Sequence, residues 1–254
     1  MVKRSIAIFT LTLSFSMLLF AGMQLSETRS APNPGTENYN TSLSISTLDI
    51  MAVDEKGNEV KELLSSYSGK ETLELGMLYP EYLAAENIGR SDEYVRAIVR
   101  KYWTDIDGNK VTKVDGKKKG EDGEVITVEA IDPEYIILEG TDASWQLDDS
   151  TSARETKIYY WKNKLAAGDT TGALMTGIQI SKNVRDYYEE TIEETENSKT
   201  ITVTYLYDNL KLNLEIEIQS VQANENAIRS IWGVDYLSVE GDTLKINGQG
   251  GSNE

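Results

Sequence analysis

A period-two pattern of apolar and polar residues recurs along this chain and confines it to short strands. Leu43, Ile45 and Thr47 alternate with Ser42, Ser44 and Ser46, the mark of a strand with one buried face, and Leu48 to Val53 extends it. The stretch from Tyr94 to Trp103 sets Val95, Ala97, Val99 and Trp103 against Arg96, Arg100 and Tyr102. Ile98 interrupts the polar row, which predicts a strand covered on both faces near the centre of a sheet. Tyr135 to Leu138, Lys157 to Trp161, Ala173 to Ile180, Lys199 to Tyr207 and Lys211 to Ala223 read as further strands, separated by Gly, Asp, Asn or Ser. Short strands at such intervals predict an all-β antiparallel β-sandwich.

Helical spacing is sparse. Val60, Leu63, Leu64 and Tyr67 predict a short connecting helix ending at Ser68-Gly69, and Val184, Tyr187, Tyr188 and Ile192 predict an amphipathic one over 183–197. Its solvent face would carry Glu189, Glu190, Glu193, Glu194 and Glu196. Between 104 and 124 the Asp-Gly pairs at 107–108 and 115–116 predict an elaborated hairpin tip.

The chain opens with Lys3 and Arg4, then an apolar run from Ile6 to Leu25. This reads as a signal peptide over 1–30 with cleavage after Ser30, and an uncleaved anchor helix is the alternative. Residues 31–41, with Pro32, Pro34, Gly35 and three asparagines, predict a flexible arm; 42–247 form the sandwich domain, and the Gly-rich 248–254 a disordered tail. The expected location is outside the cell, in an extracellular matrix or on the cell surface.

Charge and composition narrow the chemistry. The net charge is −17, from 42 acids against 25 bases, so phosphate backbones and anionic lipid repel the protein. Nucleic acid is excluded as a partner, and a membrane enters only through an uncleaved leader. There is no cysteine and no histidine, which removes disulfides, thiolate nucleophiles, imidazole bases and the usual zinc ligands. Acid pairs such as Asp148-Asp149 are uninformative in so acidic a chain. No nucleophile elbow or phosphate loop is present, so no enzyme and no organic cofactor is expected.

Asp105, Asp107 and Asn109 open like a calcium loop, but Lys110 replaces the turn glycine and Gly116 the bidentate acid. An irregular, weak calcium site is set against a plain hairpin turn. Trp103, Trp145, Trp161 and Trp232 could present a sugar-stacking platform or fill the core.

Three stretches together resemble the SipW-dependent TasA/camelysin family of secreted, fibre-forming biofilm matrix proteins of Gram-positive bacteria. They are Asn87-Ile88-Gly89 with Tyr94-Val95-Arg96 on to Trp103; Ile158-Tyr159-Tyr160-Trp161 with Leu165 to Thr170 around Gly168; and Val221-Gln222-Ala223 followed by Trp232. Ala167 stands where the family usually has proline, and the loop at 104–124 and the acidic helix at 183–197 are enlarged. The resemblance implies a jelly-roll-like sandwich and donor-strand complementation, in which the N-terminal segment of one subunit adds as a strand to the next. The partner is then a copy of the same chain, in a homopolymer that also meets other matrix or cell-wall components. Leu43, Ile45, Thr47 and Leu48 would form the assembling strand, since strand addition needs an extended segment and an open sheet edge. The other reading is a cell-surface adhesin or carbohydrate-binding module acting as a monomer.

Overall fold

The computed structural model describes residues 36–45, 49–67, 72–111, 116–119, 125–128, 132–195, 198–207 and 210–247. The leader, the first residues of the arm, Thr47, Leu48 and the tail lie outside them. Seventeen described strands and very little helix make the protein all-β.

Two sheets carry the architecture. The larger contains β1 (Thr36–Ile45), β3 (Thr72–Glu74), β5 (Glu93–Thr104), β10 (Trp145–Leu147), β11 (Thr156–Trp161) and β15 (Lys211–Gln222), in the order β10-β11-β5-β15-β1-β3, with the short β6 (Lys110–Val111) on the end of β5. The smaller contains β2 (Ile50–Val53), β4 (Leu78–Asn87), β9 (Ile136–Glu139) and β12 (Met175–Ile180), in the order β2-β4-β12-β9. Val95, Ala97 and Val99 of β5 and Leu212, Leu214, Ile216 and Ile218 of β15 share one core with Leu83, Ala85, Met175, Ile178 and Ile180 of the smaller sheet. That shared core is what makes the two sheets a sandwich. Pro80 interrupts β4, where β2, which pairs only with Ala84 to Asn87, no longer needs its missing N–H. Opposite it, the β12 register shifts between Met175 and Gly177, because a proline and a bulge relieve the same break in the ladder.

β5 is buried along nearly all its length, as the interrupted polar row predicted. Its outer face at one end lies under a second core. Tyr94, Tyr160 and Val221 are roofed there by Ile228 and Trp232 of a short helical segment (Glu225–Ala227, then a π-turn Ile228–Trp232) and by Leu237 and Leu244 of the hairpin β16 (Leu237–Glu240) and β17 (Thr243–Ile246).

Four expectations are corrected. The arm at 31–41 is strand from Thr36 onward, paired in the larger sheet. The single strand expected over 42–53 is two: β1 ends at Ile45 in one sheet and β2 begins at Ile50 in the other, so the chain crosses between layers there. The helix expected from Val60 is only a 3-10 turn, Ser65–Tyr67; Leu63 and Leu64 are both buried, with Leu64 at φ 59°, so core insertion overrides helical geometry. The acidic helix over 183–197 is a 3-10 turn, Lys182–Asp186, followed by β13 (Tyr187–Thr195). β13 pairs with β14 (Ser198–Tyr205) and β7 (Gly116–Lys119), and β7 with β8 (Val125–Val128), as an accessory sheet ordered β14-β13-β7-β8. Tyr187, Tyr188, Thr191, Ile192 and Thr195 are strand-favouring residues, and a neighbouring ladder outweighed their helical spacing.

Candidate functional site

The region with the strongest claim to function is the seat of β1. β1 runs parallel to β15 from Asn38 opposite Lys211 to Ile45 opposite Ile218. It is the sole parallel pairing among the described strands. On its other side, β3 reaches only Thr36 to Asn38. From Tyr39 to Ile45, β15 is the only strand among the described residues that pairs with β1.

Alternation explains how β1 sits. Tyr39, Thr41 and Leu43 share the row that faces the smaller sheet, in register with the core residues Leu212, Leu214 and Ile216, and Ile45, opposite Ile218 at the end of the row, is exposed. Tyr39 and Leu43 are partly buried against the core, contributing about 1–2 kcal/mol each after discounting for partial exposure. Burial, with Glu62 and Tyr79 nearby, pushes the Tyr39 hydroxyl above its usual range. Thr41 Oγ1 donates to the Leu63 carbonyl at 3.3 Å, and Asn40 Nδ2 to Asn213 Oδ1 at 3.0 Å. On the outer row, Ser42 and Ser44 lie opposite Glu215 and Glu217. β15 thus offers an acidic edge that a strand of small neutral residues can approach without repulsion. The other flank of those acids is answered by β5: Arg100 Nη1 and Nη2 lie 3.2 Å from Glu217 Oε2, Arg96 Nε 2.7 Å from Gln219 Oε1, and Tyr102 bonds Glu215. That last bond pushes the Tyr102 hydroxyl up to about 12. Of the expected assembly residues, Leu43 and Ile45 belong to this seat, and Thr47 and Leu48 fall outside the described residues.

The calcium candidates resolve differently. Asp105 Oδ1 accepts the Asn109 backbone N–H at 2.8 Å, its Oδ2 accepts Asn109 Nδ2 at 3.0 Å, and Gly108, at φ +86°, completes the turn between β5 and β6. Both carboxylate oxygens are occupied in holding the hairpin, and these bonds lower the Asp105 pKa. Among the described residues, no three acids gather into a metal-binding group. All four tryptophans are buried; Trp145 Nε1 donates to the Gly172 carbonyl at 2.9 Å and its ring meets Trp161 edge-on. Their rings fill the core.

The residues that carry the family resemblance converge on structural tasks. Asn87 is wholly buried; its Nδ2 donates to the carbonyls of Ser91 and Leu165 at 2.8 and 3.0 Å, and its Oδ1 accepts the Gly89 N–H at 2.9 Å. Gly168, at φ +83°, donates its N–H to the Asn87 carbonyl. Val95 joins the main core, and Trp103 stacks edge-on with Tyr207. Arg96 lies 4.9 Å over the Trp232 ring, Tyr160 bonds Tyr236 at 3.1 Å, and Tyr94, Val221 and Trp232 fill the second core. Gln222 closes the β15 register opposite Glu93, and the Ala223 N–H reaches the Asp92 carbonyl. Sequence reasoning missed β4, the hairpin β16–β17 and the one-sided pairing of β1. The alternation of Tyr79, Leu83 and Ala85 was a usable signal for β4; the parallel register had none.

Comparison of the chain with family models, with curated proteins and with solved structures finds no match.

Proposed function

We propose that this protein is a secreted structural subunit of extracellular fibres, whose first strand leaves its own seat and fills that of the next subunit. The parallel, one-sided docking of β1 on β15 carries this reading. A hairpin partner is tied to its neighbour by a turn, whereas a parallel strand arriving from the N-terminal end of the chain needs no turn at all. The same strand from another copy therefore satisfies the same register. Exchange of this kind runs head to tail, does not close on itself and produces filaments. The leader and the family resemblance point the same way.

The absence of native cysteine makes a direct test possible. Asn40→Cys with Asn213→Cys places two thiols at facing register positions of β1 and β15. Oxidised monomer should hold an intramolecular disulfide and fail to polymerise. Reduced protein allowed to assemble and then oxidised should give a ladder of covalent multimers on non-reducing gels. Fibres containing only intramolecular disulfides, or a parent protein that stays monomeric by light scattering in every condition, would sink the proposal.

A further inference from the structure

We propose that Glu93 and Asp49 form a binding site for a hard divalent cation of the calcium type, at the point where the chain crosses from β1 to β2. Glu93 opens β5 and is only 5% exposed, yet its Oε2 is buried without a hydrogen-bond partner. Ser220 bonds the carboxyl and burial raises its pKa, with Asp49 adding to the rise. A cation answers both carboxylates.

The surroundings supply further oxygen. A Cβ placed on Gly89 would stand 2.9 Å from Asp49 Cβ, 3.2 Å from Asp49 Cγ and 3.1 Å from Asn87 Oδ1. Asp49 and the Asn87 carbonyl oxygen therefore gather at one glycine, and Oδ1 keeps a lone pair beyond the one used by the Gly89 N–H. Lys164, next to Leu165 that bridges Glu93, turns instead to Asp92 at 3.0 Å and Asp242 at 2.9 Å. The available ligands are carboxylate and amide oxygens, in a chain without histidine or cysteine, which selects a hard ion over zinc or copper. Asp49 is exposed, giving a hydrated mouth. Calcium accepts such irregular, partly aqueous coordination, whereas magnesium demands a regular octahedron. The ion would fasten the start of β2 to β5 directly after the β1 crossover. A consequence for strand exchange rests on the fibre reading; the site itself does not.

The test is calorimetric titration of the monomeric chain with calcium chloride and, separately, magnesium chloride after chelator treatment. One calcium should bind, with Kd about 10⁻⁵ to 10⁻³ M, and magnesium more weakly. Glu93→Gln and Asp49→Asn should each weaken calcium at least about tenfold, the loss expected when a charged ligand leaves, and Glu81→Gln should change nothing. In ion-free buffer Glu93→Gln should melt higher than the parent by roughly 2–4 °C, and calcium should raise the parent's Tm but not the variant's. Asp49→Asn, at an exposed position, carries the test if Glu93→Gln does not fold. No calcium heat and no Tm change up to millimolar calcium would overturn the site, as would binding that survives both substitutions. Light scattering of the same samples reports polymerisation separately.

Discussion

Asp148 shows how little a carboxylate's surroundings can be read from its neighbours in sequence. It is wholly buried, and its oxygens accept from Ser150 N–H and Oγ at 3.0 and 2.6 Å and from Thr151 N–H and Oγ1 at 3.3 and 2.6 Å. Burial alone would raise its pKa; the bonds from Ser150, Thr151 and Tyr236 outweigh it and hold the pKa below the usual range. A lowered folded-state pKa means stability that is present above the unfolded value and lost as pH falls through the folded one. Asp148→Asn should therefore cost about 2–3 kcal/mol at pH 7. Urea titrations at several pH values should also show a shallower acid decline than in the parent. In the sequence this residue was one of an indistinct acid pair; only the folded turn separates it from exposed Asp149. Tyr236, which reaches it from the C-terminal hairpin, is 88 positions away and left no local sign.

At the scale of elements, the strand seated on β15 makes the sharpest prediction. Leu43→Asp puts a charge on the core-facing row of β1, in register with Ile216, and should lower monomer stability by about 1–3 kcal/mol. It should also abolish polymerisation, whereas Ser42→Ala on the outer row should leave both almost unchanged. Denaturation curves and sedimentation of the two variants decide this. β1 and β13 together show where periodicity succeeds and fails. Around Leu43 the alternation was legible because one face meets the core and the other meets water. In β13 the apolar spacing matched a helix, and pairing with β14 and β7 decided otherwise, since a ladder partner more than 60 positions upstream is invisible to a local pattern.

For the whole molecule, the proposed assembly would be governed by charge. A chain of net charge −17 repels its copies, and at physiological ionic strength that repulsion is screened beyond about 8 Å. Polymerisation should therefore be slow below about 20 mM salt and accelerate severalfold by about 150 mM, as measured by light scattering. Apolar contacts alone would give little such dependence. The sequence by itself determined that the chain is all-β, since alternation and turn residues are local properties that survive any arrangement of strands. It also placed β5 and β15, whose patterns are long, and the short β11, whose aromatic run Tyr159-Tyr160-Trp161 marks it. The tertiary structure alone decided that β1 docks parallel, with no described strand on one edge from Tyr39 to Ile45, that the tryptophans face inward, that a second core caps one end of the larger sheet, and that one carboxylate oxygen of Glu93 is buried without a partner. Each of these depends on which distant segments meet. Contact between residues 38 and 211, or 87 and 165, is set by the packing of two layers around a shared core, and no stretch of neighbouring residues encodes it.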